Sequence, residues 1–159
     1  MILVLLGTQN NSFHRLLEEI EKNIDSGNIK EEVVVQKGYT KFESKNMTMY
    51  TQLPVDELKK LIDKADLIIT HGGVGSIITA IEENKRVIAV PRLKKYKEHV
   101  NDHQLDIIKS FDDAGYIIGL EDVENLGDAL KKVQDFEPKR YIKNTGNILK
   151  IVENFIDNN

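Results

Sequence analysis

Short apolar runs alternate along this chain with longer amphipathic segments, and no other feature of the sequence restricts the fold as strongly. The short runs are rich in β-branched residues and have the length of strands, while the longer segments repeat apolar residues at helical spacing. This alternation is typical of a parallel sheet whose strands are joined by crossover helices. We predict strands at residues 2–6, 32–36, 47–51, 66–70, 86–90 and 116–119, and helices at 12–25, 54–64, 75–84, 100–112, 122–134 and 140–157. The expected fold class is therefore α/β, with an open parallel sheet flanked by helices.

The length of 159 residues suits one domain, and no repeat, low-complexity tract or linker divides the chain. We therefore expect a single domain over residues 1–159. Ser12 is expected to cap the first helix, and Pro54 to lie in the first turn of the second. Residues 37–46 are polar and are expected to form a surface connection.

The last predicted helix has an apolar stripe. Its members are Ile148, Ile151, Val152, Phe155 and Ile156. Such a stripe must be covered, either by the sheet of its own domain or by a partner protein. The sequence leaves both alternatives open.

The composition excludes several classes of function. Because the chain has no cysteine, it has no disulfide, thiolate metal site or cysteine nucleophile, and this composition is typical of a reducing compartment. The net charge is −4 with both signs interleaved, so we expect no nucleic-acid partner. The N-terminal apolar run is too short for a signal peptide or a membrane span, and a cytoplasmic location is expected.

The segment THGGVGS, residues 70–76, lies between the fourth predicted strand and the helix that follows it. In open α/β sheets, ligands bind at the carboxyl ends of strands, where the loop runs into a helix. The amide N–H groups of Gly75, Ser76 and Ile77 are expected to point out of the helix start. Together with the positive end of the helix they predict an anion site. The glycine residues would allow a phosphate to approach the main chain closely.

Two common phosphate motifs do not fit this turn. A P-loop requires a lysine directly before its Ser or Thr, and Gly75 occupies that position. A dinucleotide-binding fingerprint requires a third Gly or Ala, but Ile78 stands there, and the turn follows the fourth strand instead of the first. A tight strand-to-helix turn without a ligand remains the alternative, although it does not account for His71 and Ser76.

Two further polar loops are expected at the same edge of the sheet. One follows the first strand and contains Gly7, Thr8 and Gln9, and the other spans residues 91–104 after the fifth strand. The second loop offers polar side chains for binding hydroxyl groups, namely His99, Asn101, Asp102, His103 and Gln104. Its two histidines are four residues apart, as in some metal sites, but no third ligand follows this pattern and we expect no metal. Three polar loops at one edge predict a binding cleft.

The segments GTQ, ADLIITHGGVGSI, VIAVPRLKKYKEHVNDHQ and DAGYII together resemble the C-terminal, nucleotide-sugar-binding half of GT-B glycosyltransferases of family 28. Within that family, the chain is similar to small soluble subunits of split bacterial polysaccharide glycosyltransferases. It is also similar to the donor-binding subunit of the eukaryotic split N-acetylglucosaminyltransferase of dolichol-linked oligosaccharide synthesis. The resemblance covers essentially the whole chain and implies a Rossmann-like fold.

The resemblance also implies a ligand and a set of contacts. The donor is expected to be a UDP-sugar, bound without a metal or another cofactor. The implied contacts are Gly7, Thr8 and Gln9 along the diphosphate, His71, Gly72, Gly73, Gly75 and Ser76 at phosphate oxygens, the backbone near Leu53 at the uracil edge, and His99, Asn101, His103 and Gln104 at the sugar hydroxyls or its phosphate. A cation at His71 or Lys94 is expected to stabilise the leaving diphosphate.

One position departs from the family pattern. Members of the family usually have a glutamate three residues after the serine of this turn, where it binds the ribose hydroxyls, but this chain has Thr79 there. Glu82, one helical turn further along, is the candidate substitute for the ribose contact. A solvent-exposed Glu82 without such a role is the alternative.

The resemblance implies a second protein, because the half of a GT-B enzyme that binds the acceptor and holds the catalytic base is not part of this chain. No residue here is assigned as the base, and His14 and Asp102 are interpreted as structural. We expect a membrane-anchored partner subunit, a polyprenyl-diphosphate-linked saccharide acceptor, and recruitment to the inner face of the plasma membrane. Helix 140–157 and residues 91–100 are the candidate docking surfaces, and the isolated chain could form a homodimer.

The expected activity is the transfer of a hexose-type sugar, with inversion, in bacterial capsular or exopolysaccharide synthesis. Two alternatives stay open. The chain could be a non-catalytic enhancer that stabilises a partner glycosyltransferase, which the departure at Thr79 favours. It could also be a UDP-sugar epimerase, although the absence of the second domain argues against that activity.

Overall fold

All strands lie in one parallel sheet in the computed structural model, which describes residues 1–143 and 146–156. Within this part of the chain the strands are β1 (Ile2–Leu5), β2 (Val33–Gln36), β3 (Thr48–Tyr50), β4 (Leu67–His71), β5 (Arg86–Val90) and β6 (Ile118–Gly119). Their order in the sheet is β3-β2-β1-β4-β5-β6, and every neighbouring pair is parallel. The predicted open parallel sheet is confirmed.

The helices are α1 (His14–Asp25), α2 (Val55–Lys64), α3 (Val74–Ile81), α4 (His103–Asp113), α5 (Leu126–Lys132) and α6 (Gly146–Ile156). Helices α1 to α4 connect successive strands, except that no helix lies between β2 and β3, and α5 and α6 follow the last strand. Short 3-10 turns occupy Lys94–Tyr96, Val123–Asn125 and Val133–Asp135. Each predicted helix is present, although several begin or end at other residues than expected.

The start of α1 corrects the capping prediction. Phe13, not Ser12, is the residue before the helix, and no side chain caps it. The Phe13 amide instead donates to the Thr40 hydroxyl oxygen at 3.0 Å. A hydroxyl from the 37–46 connection therefore binds the amide of the residue before the helix, while the first-turn amides of α1 have no side-chain cap. Sequence spacing does not reveal a partner 27 residues away.

The start of α4 also differs from the prediction. Residues 100–102 are not helical, and the helix begins at His103. The preceding loop is held by its own hydrogen bonds, since the Lys94 amide donates to Asp102 Oδ1 at 2.8 Å and the Glu98 amide to the Leu93 carbonyl at 3.2 Å. These bonds give residues 93–102 a compact shape that a helix over 100–102 would disrupt.

The strand residues alternate between two hydrophobic clusters, one on each face of the sheet. Ile2 and Val4 belong to the cluster that α1 and α5 cover, while Leu3 and Leu5 belong to the cluster that α3 and α4 cover. Burial on both faces is expected for a parallel sheet, and it explains why the strands read as continuous apolar runs.

Helix α6 packs on its own domain. Ile148 is buried, and Ile151, Val152 and Phe155 pack against the cluster on the α3 and α4 face. The side chain of Ile156 lies outside the described residues. Of the two alternatives for the apolar stripe, the structure shows the internal one, so docking through this stripe would require α6 to leave the core.

The order of the strands places a switch point between β1 and β4. From β1 the chain proceeds outward through β2 and β3, and from β4 it proceeds outward on the other side through β5 and β6. The connections that leave β1 and β4 therefore diverge at the carboxyl edge of the sheet. Ligands of open α/β sheets bind in the crevice at such a point.

A pair of substitutions in α6 tests its internal packing. Ile148→Ala should lower the free energy of unfolding by about 2 to 5 kcal/mol, because it leaves a cavity in a buried site. Leu149→Ala, at a side chain that is 43% exposed, should cost well under about 2 kcal/mol. Urea denaturation of both variants measures the difference. Equal, small losses would show that α6 does not pack on this core in solution.

Candidate functional site

Three loops meet at the carboxyl edge of β1, β4 and β5, which are neighbours in the sheet. They are residues 6–13 after β1, the turn that leads from β4 into α3, and residues 91–102 after β5. Thr8, Gln9, Asn10, Asn11, His99 and Val100 line a cavity of about 320 Å³ between the first and third of these loops. The structure thus brings the three predicted polar loops together.

His71, the last residue of β4, lies at the centre of this arrangement. Its ring is 5% exposed, with Nε2 at 3.0 Å from the Ser76 hydroxyl oxygen and Nδ1 at 3.1 Å from Gln104 Nε2. Burial, assisted by the nearby charge of Arg92, lowers the pKa of His71 to about 3. His71 is therefore neutral at physiological pH, and the expected cation at this position is wrong.

The glycines around His71 are required by the protein itself. A Cβ at Gly7, which has a φ of +79°, would lie 2.5 Å from His71 Nε2, and a Cβ at Gly73 would lie 2.5 Å from His71 Cε1. A Cβ at Gly72 would lie 2.7 Å from Gln104 Cβ on α4. These three glycines make room for the imidazole and for α4, so close approach of a ligand is not needed to explain them.

Gly75 is different, because apart from its chain neighbours and the backbone of its own helix no protein atom lies within 4 Å of where a Cβ would be. It lies in the first turn of α3, whose first backbone hydrogen bond runs from the Ile77 amide to the Gly73 carbonyl at 3.0 Å. The amides without an intrahelical partner are therefore those of Val74, Gly75 and Ser76. Ile77 is excluded from the predicted set, because the helix begins one residue earlier than expected.

Gln104 holds the turn after β4 to the end of β5. Its amide oxygen accepts hydrogen bonds from the backbone N–H groups of Gly72 and Arg92, each at 2.9 Å. The side chain is buried, and its amide nitrogen faces His71. The structure thus assigns Gln104 an internal role in addition to the sugar contact that the resemblance implies.

Arg92 also joins these loops by hydrogen bonds. The sequence alone predicted no role for it. Its guanidinium group is buried and donates to the carbonyl oxygens of Leu6, Asn11 and Glu98. Burial lowers the pKa of Arg92 to about 10, opposed by the charge of Glu98, so the group is still a cation at neutral pH. The signal that could have revealed it is a basic residue directly after a buried strand, because an arginine there must find buried acceptors.

A second arginine ties α1 to the loop after β5. Arg15 donates from Nε and Nη2 to the two carboxylate oxygens of Glu98, both at 2.9 Å, and from Nη1 to Asp122. Its guanidinium also lies 4.0 Å from the centre of the Tyr96 ring. Because Glu98 is buried and both its oxygens are paired, residues 93–98 are held firmly beside the site.

The remaining residues of this loop bond mainly to one another. The Asn101 amide donates to His99 Nδ1 at 3.3 Å, and the His103 amide donates to Asn101 Oδ1 at 3.0 Å. Burial, with the charges of Arg92 and His103, lowers the pKa of His99, which Asp102 partly opposes. His99 is thus held in its neutral form at the wall of the 320 Å³ cavity.

Other predicted contacts lie further from His71. The Leu53 amide already donates to Gln36 Oε1 at 2.9 Å, which leaves its carbonyl as the backbone group for a base edge. The Thr79 hydroxyl donates to the Gly75 carbonyl at 2.8 Å within α3. Glu82 is exposed and follows the last residue of α3, at the opposite end of the helix from the glycine turn. The uracil and ribose contacts stay predictions.

His14 and Asp102, interpreted above as structural, have local partners. The His14 ring lies near the Ser12 hydroxyl and Glu18 on the exposed side of α1. Asp102 Oδ1 accepts from the Lys94 amide. Lys94 is exposed, so its side chain is the one that stays available as the cation proposed for this loop.

A larger groove of about 800 Å³ lies elsewhere, between α4 and the segment 119–125. Its acidic lining consists of Asp102, Asp106, Asp112, Asp113, Glu121, Asp122 and Glu124, and its basic lining of Lys95 and Lys109. Such a surface repels an anionic ligand. The smaller cavity between the loops after β1 and β5 has no acidic residue in its lining and is therefore the better candidate for a phosphate-bearing molecule.

Residues 1–143 and 146–156 contain no helix that is both long and apolar enough to cross a membrane. Within the same residues, no group of three or more His, Cys, Asp and Glu side chains is arranged to hold a metal ion.

Comparison with known proteins identifies the family to which this arrangement belongs. The model of the glycosyltransferase family 28 C-terminal domain matches residues 1–158. The chain belongs to this family. It is 33% identical over 76 residues to the UDP-N-acetylglucosamine transferase subunit ALG13 of Homo sapiens, which is 48% of this chain and 6% of that protein. It is 38% identical over 61 residues to ALG13 of Candida albicans, which is 38% of this chain and 20% of that protein. The matched regions are thus a small part of these relatives.

Solved structures support the fold. An NMR structure of ALG13 superposes with a TM-score of 0.61 at 16% identity, covering 94% of this family 28 chain and 92% of that one. Acinetobacter baumannii MurG superposes with a TM-score of 0.56 at 19% identity, covering 82% of this chain and 40% of MurG. These likenesses confirm a Rossmann-like domain of the GT-B kind.

The neutral state of His71 predicts how stability depends on pH. The pKa of this ring is about 6.5 when unfolded and about 3 when folded, so between these values the unfolded chain binds the additional proton. The contribution of neutral His71 is fully present above about pH 6.5 and decreases as the pH falls, by up to ~1.4 kcal/mol per pH unit. In urea denaturation at pH 7, 6 and 5, the stability difference between the wild type and His71→Asn should therefore shift steadily against the wild type. A difference that is constant with pH would contradict a buried neutral imidazole.

Proposed function

We propose that this chain is the donor-binding subunit of a two-component inverting glycosyltransferase that uses a UDP-sugar. The observation that supports this function best is the start of α3, where the amides of Val74, Gly75 and Ser76 have no intrahelical partner and no other segment packs against Gly75. The site lies at the switch point of a family 28 domain. A diphosphate is the ligand that this combination of amide donors and helix end suits best.

The charge of the diphosphate can be neutralised here without a lysine in the turn. The positive end of a helix contributes about 0.3 to 1 kcal/mol, and each hydrogen bond to a charged group about 1.5 to 3 kcal/mol. Arg92 adds a buried positive charge behind His71 and the loop after β1. Metal-free binding is therefore part of the proposal, with Lys94 as the exposed cation in the loop after β5.

The arrangement of the loops suggests how a UDP-sugar lies on the domain. Gly75 and Ser76 are assigned to the phosphates, and Thr8 and Gln9 to the side of the diphosphate that faces the sugar. The 320 Å³ cavity with His99 on its wall is then the place for the hexose. The base lies toward β3 and the Leu53 carbonyl, and Thr79 or Glu82 is assigned to the ribose.

The catalytic base and the acceptor site belong to a partner in this proposal. MurG, of which this chain covers 40%, has most of its length beyond the shared domain. We propose a membrane-anchored partner that binds a polyprenyl-diphosphate-linked saccharide, so that this chain works at the cytoplasmic face of the membrane. Capsular or exopolysaccharide synthesis in a bacterium is the proposed setting.

A second candidate function is a non-catalytic enhancer of a partner transferase. One observation favours it, namely that the Thr79 hydroxyl is occupied by the Gly75 carbonyl, so the usual ribose ligand has no direct replacement at that position. An enhancer would not require nucleotide binding, which separates the two functions experimentally.

Titration of the chain with UDP, followed by isothermal calorimetry and by NMR shifts, tests the donor site. Gly75→Ala should weaken UDP binding at least about tenfold, because the methyl group enters open space that we assign to the phosphates. It should not lower stability, since alanine is favoured over glycine by about 1 kcal/mol in a helix.

Gly146→Ala is the matched control, because Gly146 begins α6 and also has open space where a Cβ would be. It should leave UDP affinity unchanged. Equal UDP affinity in Gly75→Ala and the wild type would show that UDP does not bind at the start of α3. No UDP binding by the wild type, alone or with its partner, would favour the enhancer.

A further inference from the structure

The orientation of the Gln104 amide follows from its hydrogen bonds. The oxygen accepts from the backbone N–H groups of Gly72 and Arg92, and a backbone N–H can only donate. A flipped amide would place its NH₂ group against these two donors and lose both bonds. The nitrogen of Gln104 must therefore face His71 Nδ1, at 3.1 Å.

This orientation determines the tautomer of His71. Because Gln104 Nε2 is a donor, His71 Nδ1 must accept and cannot hold a proton. In a neutral imidazole the single proton is then on Nε2, which is 3.0 Å from the Ser76 hydroxyl oxygen. His71 donates to Ser76, and the Ser76 oxygen is the acceptor.

The consequence reaches the proposed phosphate site. With His71 as donor, the Ser76 hydroxyl proton cannot be directed at the imidazole and is available to another acceptor. Ser76 is partly exposed and follows Gly75 in the first turn of α3, beside the amides that have no intrahelical partner. A phosphate oxygen at the helix start is the acceptor that lies within reach of that hydroxyl.

We propose that Gln104 is a positioning residue that acts through the His71 tautomer to direct the Ser76 hydroxyl as a donor into the anion site. The inference rests on the proposed function and adds the residue that sets its hydrogen-bond polarity. Gln104 does not touch the phosphate in this role. It decides whether Ser76 offers a proton or a lone pair to the ligand.

The geometry also gives Gln104 a purely structural role, which must be distinguished from its effect on the His71 tautomer. Gln104 also joins two backbone segments, so a purely structural effect would weaken binding without any change in the tautomer. Gln104→Glu distinguishes the two roles, because one carboxylate oxygen still accepts from Gly72 and Arg92. The other oxygen replaces a donor by an acceptor and draws a proton onto His71 Nδ1.

The first measurement is the ¹⁵N spectrum of the His71 ring in the full chain at pH 7, without nucleotide. The wild type should show protonation at Nε2 and a bare Nδ1. Gln104→Glu should show a protonated Nδ1 and a bare Nε2, which then accepts from the Ser76 hydroxyl. A wild-type ring protonated at Nδ1 overturns the inference, and this result does not depend on whether any variant folds.

The second measurement is the UDP affinity of four proteins, with Gln104 or Glu at position 104 and Ser or Ala at position 76. Gln104→Glu should weaken UDP binding by roughly tenfold when Ser76 is present, the effect of losing one hydrogen bond to a charged group. In the Ser76→Ala background the same substitution should have a clearly smaller effect. The cycle cancels direct repulsion between the new carboxylate and the ligand, because that repulsion is present in both backgrounds.

Gln134→Glu is the control for added charge, since Gln134 is exposed in the 3-10 turn after α5. It should leave both the His71 spectrum and UDP affinity unchanged. If Gln104→Glu lowers UDP affinity equally with Ser76 and with Ala at position 76, the inference is overturned. UDP binding by the wild type would still preserve the proposed function in that case. Failure of the wild type to bind UDP overturns the proposed function, and with it the role given to Ser76.

Discussion

A small set of buried hydrogen bonds between loops keeps the carboxyl edge of this sheet in one shape. The Gln104 amide oxygen joins the turn after β4 to the end of β5, and the Arg92 guanidinium joins the carbonyls of Leu6, Asn11 and Glu98. Buried backbone groups left without such partners would cost about 1 to 3 kcal/mol each. Because loops have few apolar contacts of their own, these polar bonds, more than the hydrophobic core, determine where the site residues lie.

The absence of a lysine from the glycine turn is understandable in this arrangement. In the proposed donor site, three amides at the N-terminus of α3 and the buried charge of Arg92 take the place of the lysine of a P-loop. His71 is neutral instead of cationic, because burial lowers its pKa. The turn thus combines a rigid interior with one open position, Gly75, where the protein leaves space.

The sequence predicted the sheet well and the site in part. Strands β1 and β4 were identifiable because residues buried on both faces must be continuously apolar, and the polar loops after them had to meet at one edge since the strands are parallel. The hydrogen bond from the Phe13 amide to Thr40 was not predictable, because it joins residues distant in the chain. The charge on His71 was wrong for a related reason: a pKa depends on burial and on Arg92, and neither can be read from the HGGVGS segment alone.

The sequence by itself therefore determined the fold class, the order of helices and strands, and the meeting of the loops after β1, β4 and β5 at one edge of the sheet. These features follow from local periodicity and from parallel topology, which act at every residue. Only the tertiary structure decided which glycines serve packing and which one faces open space, that Arg92 is buried and joins three carbonyl groups, and that α6 covers its own core. Those properties depend on distances between atoms far apart in the chain, and such distances exist only after the chain has folded.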